Sequence, residues 1–389
     1  MRSADVIIIG GGVIGASIAF HLAQKRCRVV VLEKGDLACG SSGACDGTIF
    51  LQTKKPGIHL RLAIESRKRF DDLKDELPFN IEYTDNGGMV VIETEAEYKA
   101  MQLFVQDQKK IGLNVTLLDT KQVREAEPYL DEHLLGAAYC PMDGQVNPIA
   151  LTLGFGLAAK KLGAGIYPNT CVTGMVVKGN RIRTVQSSQG QFEAEVVVNA
   201  AGVHASEIAK MAGLDVPITP RRGQLMVTEA VPMILRHVLI SAKYIAAKYN
   251  PDLALKDGEG ASIEQTLNGN LLLGSTREFA GYDKRTTVKK LRMIAERTSK
   301  ILPYLKKTSV IRAFAGLRPY TPDGYPILGP VKGLEGFIIA AGHEGDGIAL
   351  APITGEIIAR SIVRGQADSI LSEFRLERFY PPSASSEIK

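Results

Sequence analysis

The chain has 389 residues, long enough for two packed domains with cores of their own. Its net charge of +5 is mild, and no basic stripe is interleaved with aromatics, which argues against nucleic-acid binding. No apolar run is long enough to span a membrane and no signal-peptide pattern is present, so the expectation is a cytoplasmic protein.

In chain order, residues 5–9 (DVIII) read as a strand, and Gly10-Gly11-Gly12-Val13-Ile14-Gly15 follows at once. Residues 16–24 read as a helix, and residues 29–32 as a second strand ending in Glu33. Strand, G-x-G-x-x-G turn, helix, strand and acid form the dinucleotide-binding βαβ fingerprint. Gly10 permits the tight turn, Gly12 lets the backbone approach a pyrophosphate, and Gly15 allows close helix–strand packing. The helix N-terminus offers N–H groups and a positive dipole to phosphates, and Glu33 can accept from ribose hydroxyls.

Helical spacing marks residues 60–77 and 96–111. Residues 89–92, 115–118, 135–139, 224–228 and 270–275 read as strands, with Asn268-Gly269-Asn270 as a hairpin tip. The basic clusters at 67–69, 221–222 and 289–290 read as solvated faces. Cys27, Cys39, Cys45, Cys140 and Cys171 contain no C-x-x-C pair, so they read as ordinary thiols and no metal site is expected.

Two further strand–glycine–helix units occur. One is EVVVN at 195–199 followed by Ala200-Ala201-Gly202, and the other is FIIAA at 337–341 followed by Gly342-His343-Glu344-Gly345-Asp346-Gly347. Nucleotide-binding segments thus come from the start, middle and end of the chain. The expected organisation is α/β, α+β overall: a discontinuous Rossmann-like domain from residues 1–50, 143–215 and 326–380, and an antiparallel-sheet domain from residues 51–142 and 216–325. The fingerprint alone leaves NAD and FAD open. The terminal glycine-rich unit favours FAD, because a helix N-terminus beside a reduced flavin stabilises its negative charge.

The stretches DVIIIGGGVIGASIAFHLA, VVVLEKGDLACGSSGACDGTI, DGQVNP, VVVNAAGVHASEIAKMAG, RRGQLMVTE, LLLGSTRE, FAGLRPYTPDGYPILGP and FIIAAGHEGDGIALAPITGE cover nearly the whole chain. With them the sequence resembles the D-amino-acid oxidase superfamily of flavoproteins. It is most similar to the branch with glycine oxidase, the sarcosine oxidase β subunit, the hydrogen cyanide synthase C subunit and the β subunits of dye-linked proline, D-hydroxyproline and opine dehydrogenases.

The resemblance implies noncovalent FAD, since the GLRPYTPD segment lacks the cysteine that attaches flavin in monomeric sarcosine oxidases. It implies that Gly10, Gly12, Val13, Ile14 and Gly15 hold the pyrophosphate, and that Glu33 and Lys34 hold the adenosine ribose. Ser41 and Ser42 fall between pyrophosphate and flavin. Val172 meets adenine, and Ala200, Ala201 and Gly202 line the adenosine side. Gly342, His343, Gly345, Gly347 and Ile348 lie along the isoalloxazine.

On the substrate side, the resemblance implies that Arg318 and Tyr244 clamp an amino-acid carboxylate, and a planar guanidinium fork suits that role. His343 either tunes amine protonation or is structural. Glu264 and Gln265 are candidate polar contacts. The position of a second arginine in glycine oxidases is Gly345 here, so Glu344 or Asp346 either pairs with a cation or caps the following helix, the cap being preferred for Asp346.

The implied reaction is hydride transfer from the Cα of a proline-, hydroxyproline-, sarcosine- or opine-type amino acid to flavin N5. It is expected in a catalytic β subunit served by α and small γ electron-transfer subunits, with FMN or an iron–sulfur cluster held by or shared with a partner. The alternatives are a stand-alone peroxide-forming oxidase and a flavin electron-relay subunit. Lys54 and Lys55 read as a solvated loop or as contacts to a second flavin phosphate or an acidic partner.

Overall fold

The computed structural model describes residues 2–246 and 260–380. One sheet has six strands in the order Ile327–Pro330, Phe337–Ala341, Val196–Asn199, Val6–Ile9, Val29–Leu32 and Gly165–Tyr167. All pair in parallel except the edge strand Ile327–Pro330. Both faces are covered, which is why its central strands read as unbroken apolar runs. Val6 and Ile8 pack towards the helices Val13–Gln24, Pro148–Lys161 and Gly347–Arg364. Ile7 and Ile9 pack towards a four-stranded layer that includes Val172–Lys178, Arg181–Ser187 and Gly190–Glu193.

The helix Val13–Gln24 is buried along nearly its whole length, wedged between its two neighbours. Two glycines make its approach to the sheet possible. Gly10 has φ +113°, a conformation side-chain-bearing residues rarely adopt, and a Cβ there would lie 2.5 Å from the Ala200 carbonyl oxygen. A Cβ on Gly15 would overlap the Gly10 carbonyl oxygen.

The second large sheet has eight strands in the order Val310–Tyr320, Thr219–Ala230, Asn270–Gly274, Ser262–Gln265, Val238–Ser241, Gly88–Ile92, Gly136–Cys140 and Thr116–Asp119. It is antiparallel apart from one parallel pair, Val238–Ser241 beside Gly88–Ile92. Helix Val288–Ile301 packs on one face through Ile294 and Ile301, against Met226, Leu271 and Leu273. The long pair Thr219–Ala230 and Val310–Tyr320 sets Arg221 opposite Arg318 and Gly223 opposite Gly316. Arg318 therefore sits within a strand. Among the described residues no helix is long and apolar enough to cross a membrane.

Candidate active site

A cavity of about 470 Å³ runs between the two large sheets. Its walls join residues far apart in sequence. They include Gly10, Gly12, Val13 and Ile14 of the first turn, with Glu33 and Lys34 from the end of the strand Val29–Leu32. Val172, Ala200, Ala201 and Gly202 are also in the wall. Ser41 and Ser42 line it as well. Arg318, Gly342, His343, Gly345, Gly347 and Ile348 belong to the wall too. Gly15 is absent from the wall, where its role is to admit the Gly10 carbonyl.

The local bonds explain the shape. The Glu33 carboxylate, 8% exposed, accepts from Gly11 N at 2.6 Å and from Gly35 N at 2.8 Å, so it braces the glycine turn and keeps lone pairs for a ligand. Gly12 occupies the N-cap position of the first helix without capping it, and Ser42 Oγ accepts from Val13 N at 3.0 Å instead. Ser41 Oγ donates to the Leu317 carbonyl, tying the loop after the second strand to the eight-stranded sheet. Lys34 Nζ lies 2.7 Å from His204 Nε2, and His204 stacks on Tyr282 with centroids 4.9 Å apart.

His343 is buried, with Nε2 3.2 Å from Thr354 Oγ1. Burial pushes its imidazole down to about 3, so the ring is neutral at physiological pH. The first turns of helices Val13–Gln24 and Gly347–Arg364 both line the cavity. Two helix N-termini and a close-approach glycine turn as donors, with a buried carboxylate as acceptor, are what a long dinucleotide with an electron-rich ring requires, and they fit FAD. Cys39, Cys45 and Cys171 also reach the wall. Burial, Asp46 and Glu264 hold the Cys45 thiol well above its ordinary pKa, so it is a protonated, poor nucleophile.

A second cavity of about 280 Å³ opens off the first. The two share Asp46, Thr48, Arg318, Glu344 and Gly345. The Arg318 fork is held from behind: Nη1 donates to Thr276 O at 2.9 Å and Nη2 to Ser275 Oγ at 3.0 Å. Burial lowers its pKa, yet a guanidinium stays charged at any working pH. Glu344 stands beside it, with Oε1 3.4 Å from Arg221 Nη1 and 3.7 Å from Arg277 Nε. Burial pushes this carboxyl up, but Arg277, Arg318 and Arg221 outweigh that and hold it below the ordinary value.

Several expectations are corrected. Lys54 is no solvated residue: it is 3% exposed, it pairs with Asp346, and it donates to Phe50 O at 2.8 Å. Asp346 stands at the N-cap of the last long helix, but its side chain makes no cap bond and instead meets Lys54 and, at 3.3 Å, His59 Nε2. Arg222 is buried against Glu278 and Asp283, and Arg221 lines the second cavity, so this pair is no solvated face. Gln265 accepts from Ile234 N and Leu235 N, and Glu264 accepts from Gly47 N, both outside the second cavity. Tyr244 falls in a short helix, Ala242–Ala246, but its side chain lies outside the described residues.

Sequence reasoning missed Arg277, His59 and Gly223. Their signal is strand register and loop packing, which bring them to Arg318 and Asp346 only in three dimensions.

Comparison with known proteins matches this architecture. The model of the DAO family, described as FAD dependent oxidoreductase, matches residues 5–361. Hydrogen cyanide synthase subunit HcnC of Pseudomonas aeruginosa is 29% identical, over 99% of this chain and 98% of its own. Glycine oxidase of Geobacillus kaustophilus is 31% identical, over 96% of this chain and 97% of its own. The crystal structure of L-proline dehydrogenase from P. horikoshii superposes with a TM-score of 0.89 at 28% identity, covering 97% of this chain and 98% of that one.

Proposed function

The chain belongs to the DAO family of FAD-dependent oxidoreductases, and on that premise we propose that it oxidises a secondary or primary α-amino acid as the catalytic subunit of a heteromeric dehydrogenase. The position of Arg318 carries this reading. Its guanidinium stands where the two cavities meet, with its fork already oriented by Ser275 and Thr276. A carboxylate held there would present its Cα towards the first cavity.

In this reading residues 1–50, 143–215 and 326–380 hold FAD, and residues 51–142 and 216–325 supply the substrate wall. Gly10, Gly12, Val13 and Ile14 cradle the pyrophosphate. Glu33 and Lys34 take the ribose, and Val172 with Ala200, Ala201 and Gly202 flanks the adenosine. Ser41 and Ser42 bridge to the flavin end, where Gly342, His343, Gly345, Gly347 and Ile348 line the ring. When bound, FAD supplies the acceptor for the hydride that leaves Cα.

The side chains bind and orient. Arg318 makes charge-assisted bonds to the carboxylate. Neutral His343 is no general acid at physiological pH, and in this reading the amine binds as the free base, so that no side chain has to take a proton from it. The ion pair of Lys54 with Asp346 fixes the loop after Phe50 against the last long helix, closing the second cavity on that side.

A subunit role is supported by the naming of one relative as a subunit. Electrons would then pass to a partner carrying FMN or an iron–sulfur cluster, in the cytoplasm. Anaerobic addition of proline, hydroxyproline, sarcosine and opines to the purified FAD-loaded chain tests the proposal. Bleaching of the flavin band by one of them is expected, with slow reoxidation in air and fast reoxidation by a dye. Rapid peroxide release would make the chain a stand-alone oxidase, and no bleaching by any amine would refute amino-acid oxidation.

A further inference from the structure

An α-amino acid bound where the two cavities meet has two polar groups to place side by side. Arg318 answers the carboxylate, and the amine nitrogen follows one carbon away. An N–H that leaves water there without finding an acceptor is unfavourable. Three side chains shared by the two walls carry acceptor oxygens: Asp46, Thr48 and Glu344. Glu344 is engaged, with Oε1 in ion-pair reach of Arg221 and Arg277 and Oε2 accepting from Gly345 N at 2.6 Å. Thr48 Oγ1 is turned to Asp46 and donates to its Oδ1 at 3.3 Å.

Asp46 differs from both. Among the described residues it forms no ion pair, and nothing donates to its Oδ2. An ionised carboxylate offers about four lone-pair sites, so Asp46 keeps most of its acceptor capacity for a ligand. The backbone that carries it is fixed. Gly47 N donates to the two oxygens of Glu264 at 3.1 and 3.2 Å, and Gly47 O accepts from Val146 N at 2.9 Å. A Cβ on Gly47 would overlap the Val146 carbonyl oxygen, so the two segments meet backbone to backbone, and Thr48 then pairs with Gln145. Glu264 is buried, and burial together with Asp46 pushes its carboxyl up to about 8, so at neutral pH it adds little negative charge behind Asp46. A carboxylate with a spare oxygen, on a rigid segment of the wall that also holds Arg318, is preorganised for a donor.

We infer that Asp46 determines specificity for the amine: its carboxylate accepts the substrate N–H while Arg318 holds the substrate carboxylate, which selects primary and secondary amino acids over tertiary ones. This rests on the amino-acid reading above and narrows it. With the N–H directed at Asp46, the nitrogen lone pair stays clear to assist departure of the hydride from Cα. A tertiary amine bound as the free base has no hydrogen to offer at that oxygen.

The test uses the FAD-loaded chain and two planar probes that have no hydride to give at the carbon bearing the carboxylate. Pyrrole-2-carboxylate presents an N–H beside its carboxylate, and 2-furoate, of nearly the same shape, presents a ring oxygen. Calorimetric titration is expected to give pyrrole-2-carboxylate a dissociation constant at least about tenfold lower, because a hydrogen bond to a charged acceptor is lost with the furan. In Asp46→Asn the amide can turn to accept from one probe or donate to the other, so the ratio should fall towards one. The wild-type comparison stands even if that variant folds poorly. Equal affinities in the wild type, or a ratio that Asp46→Asn leaves unchanged, would overturn the role of Asp46 while leaving amino-acid oxidation intact, provided amines still bleach the flavin. Binding of neither probe would overturn it too, and if no amine bleaches the flavin either, both readings fall together.

Discussion

The guanidinium of Arg318 lies against the backbone of Gly223, so closely that a Cβ at that position would stand 2.6 Å from Cζ and from Nη2. Strand register explains the contact, because Gly223 is two residues along from Arg221, the direct partner of Arg318, and shares its face. The atoms in conflict are the far end of a flexible side chain, so Gly223→Ala should displace the fork and leave the fold intact. The expected result is at least about a tenfold loss of substrate affinity, with FAD content and melting temperature close to wild type. Anaerobic titration of flavin reduction checks it.

Gly15 is constrained differently. Its missing side chain makes room for the Gly10 carbonyl, a backbone atom that cannot swing aside. Gly15→Ala should therefore lower the soluble yield and strip FAD from what remains, read as the ratio of flavin to protein absorbance. A variant that purifies fully yellow would contradict the role assigned to this turn.

Breaking the ion pair of Lys54 with Asp346 should cost stability more than affinity. Lys54→Met keeps the volume and removes a buried ammonium that also donates to Phe50 O. Removing one partner of a fully buried pair costs about 3 kcal/mol or more, and since Asp346 is part-exposed and keeps His59 the loss here should fall below that. Chemical denaturation of the FAD-loaded protein measures it.

His343 gives the stability a pH dependence of defined sign. Its imidazole is held at about 3 when folded, against an ordinary value near 6.5. Between those values the unfolded chain binds more protons, so stability is full above about 6.5 and is lost as pH falls towards 3. Buried His21, also depressed by desolvation, acts in the same direction. His343→Gln, which can still meet Thr354, should flatten the acid side of a plot of melting temperature against pH. An unchanged slope would show that the folded imidazole titrates as it does in the unfolded chain.

Local patterns carried well from sequence to structure. The glycine turn at Gly10–Gly15 and the acid Glu33 depend on residues adjacent in the chain, and each can be read where it stands. Helix Pro148–Lys161 was missed because it is buried on most sides and shows weak periodicity, although Asn147 at its N-cap and Pro148 in its first turn were available signals. The second cavity was illegible for another reason. Arg221 looks like half of a basic surface pair until register sets it opposite Arg318, and Lys54 looks like half of another until Asp346, 292 residues away, meets it.

The most direct test of the account compares anaerobic flavin reduction in the wild type and in Arg318→Ala, both fully loaded with FAD, with the amino acid that bleaches the wild type. Loss of a two-pronged charged contact is worth a few kcal/mol, so the variant should need about a hundredfold more substrate or remain oxidised. If Arg318→Ala is reduced at the same concentration as the wild type, the carboxylate does not bind at Arg318, and the site drawn around it is wrong.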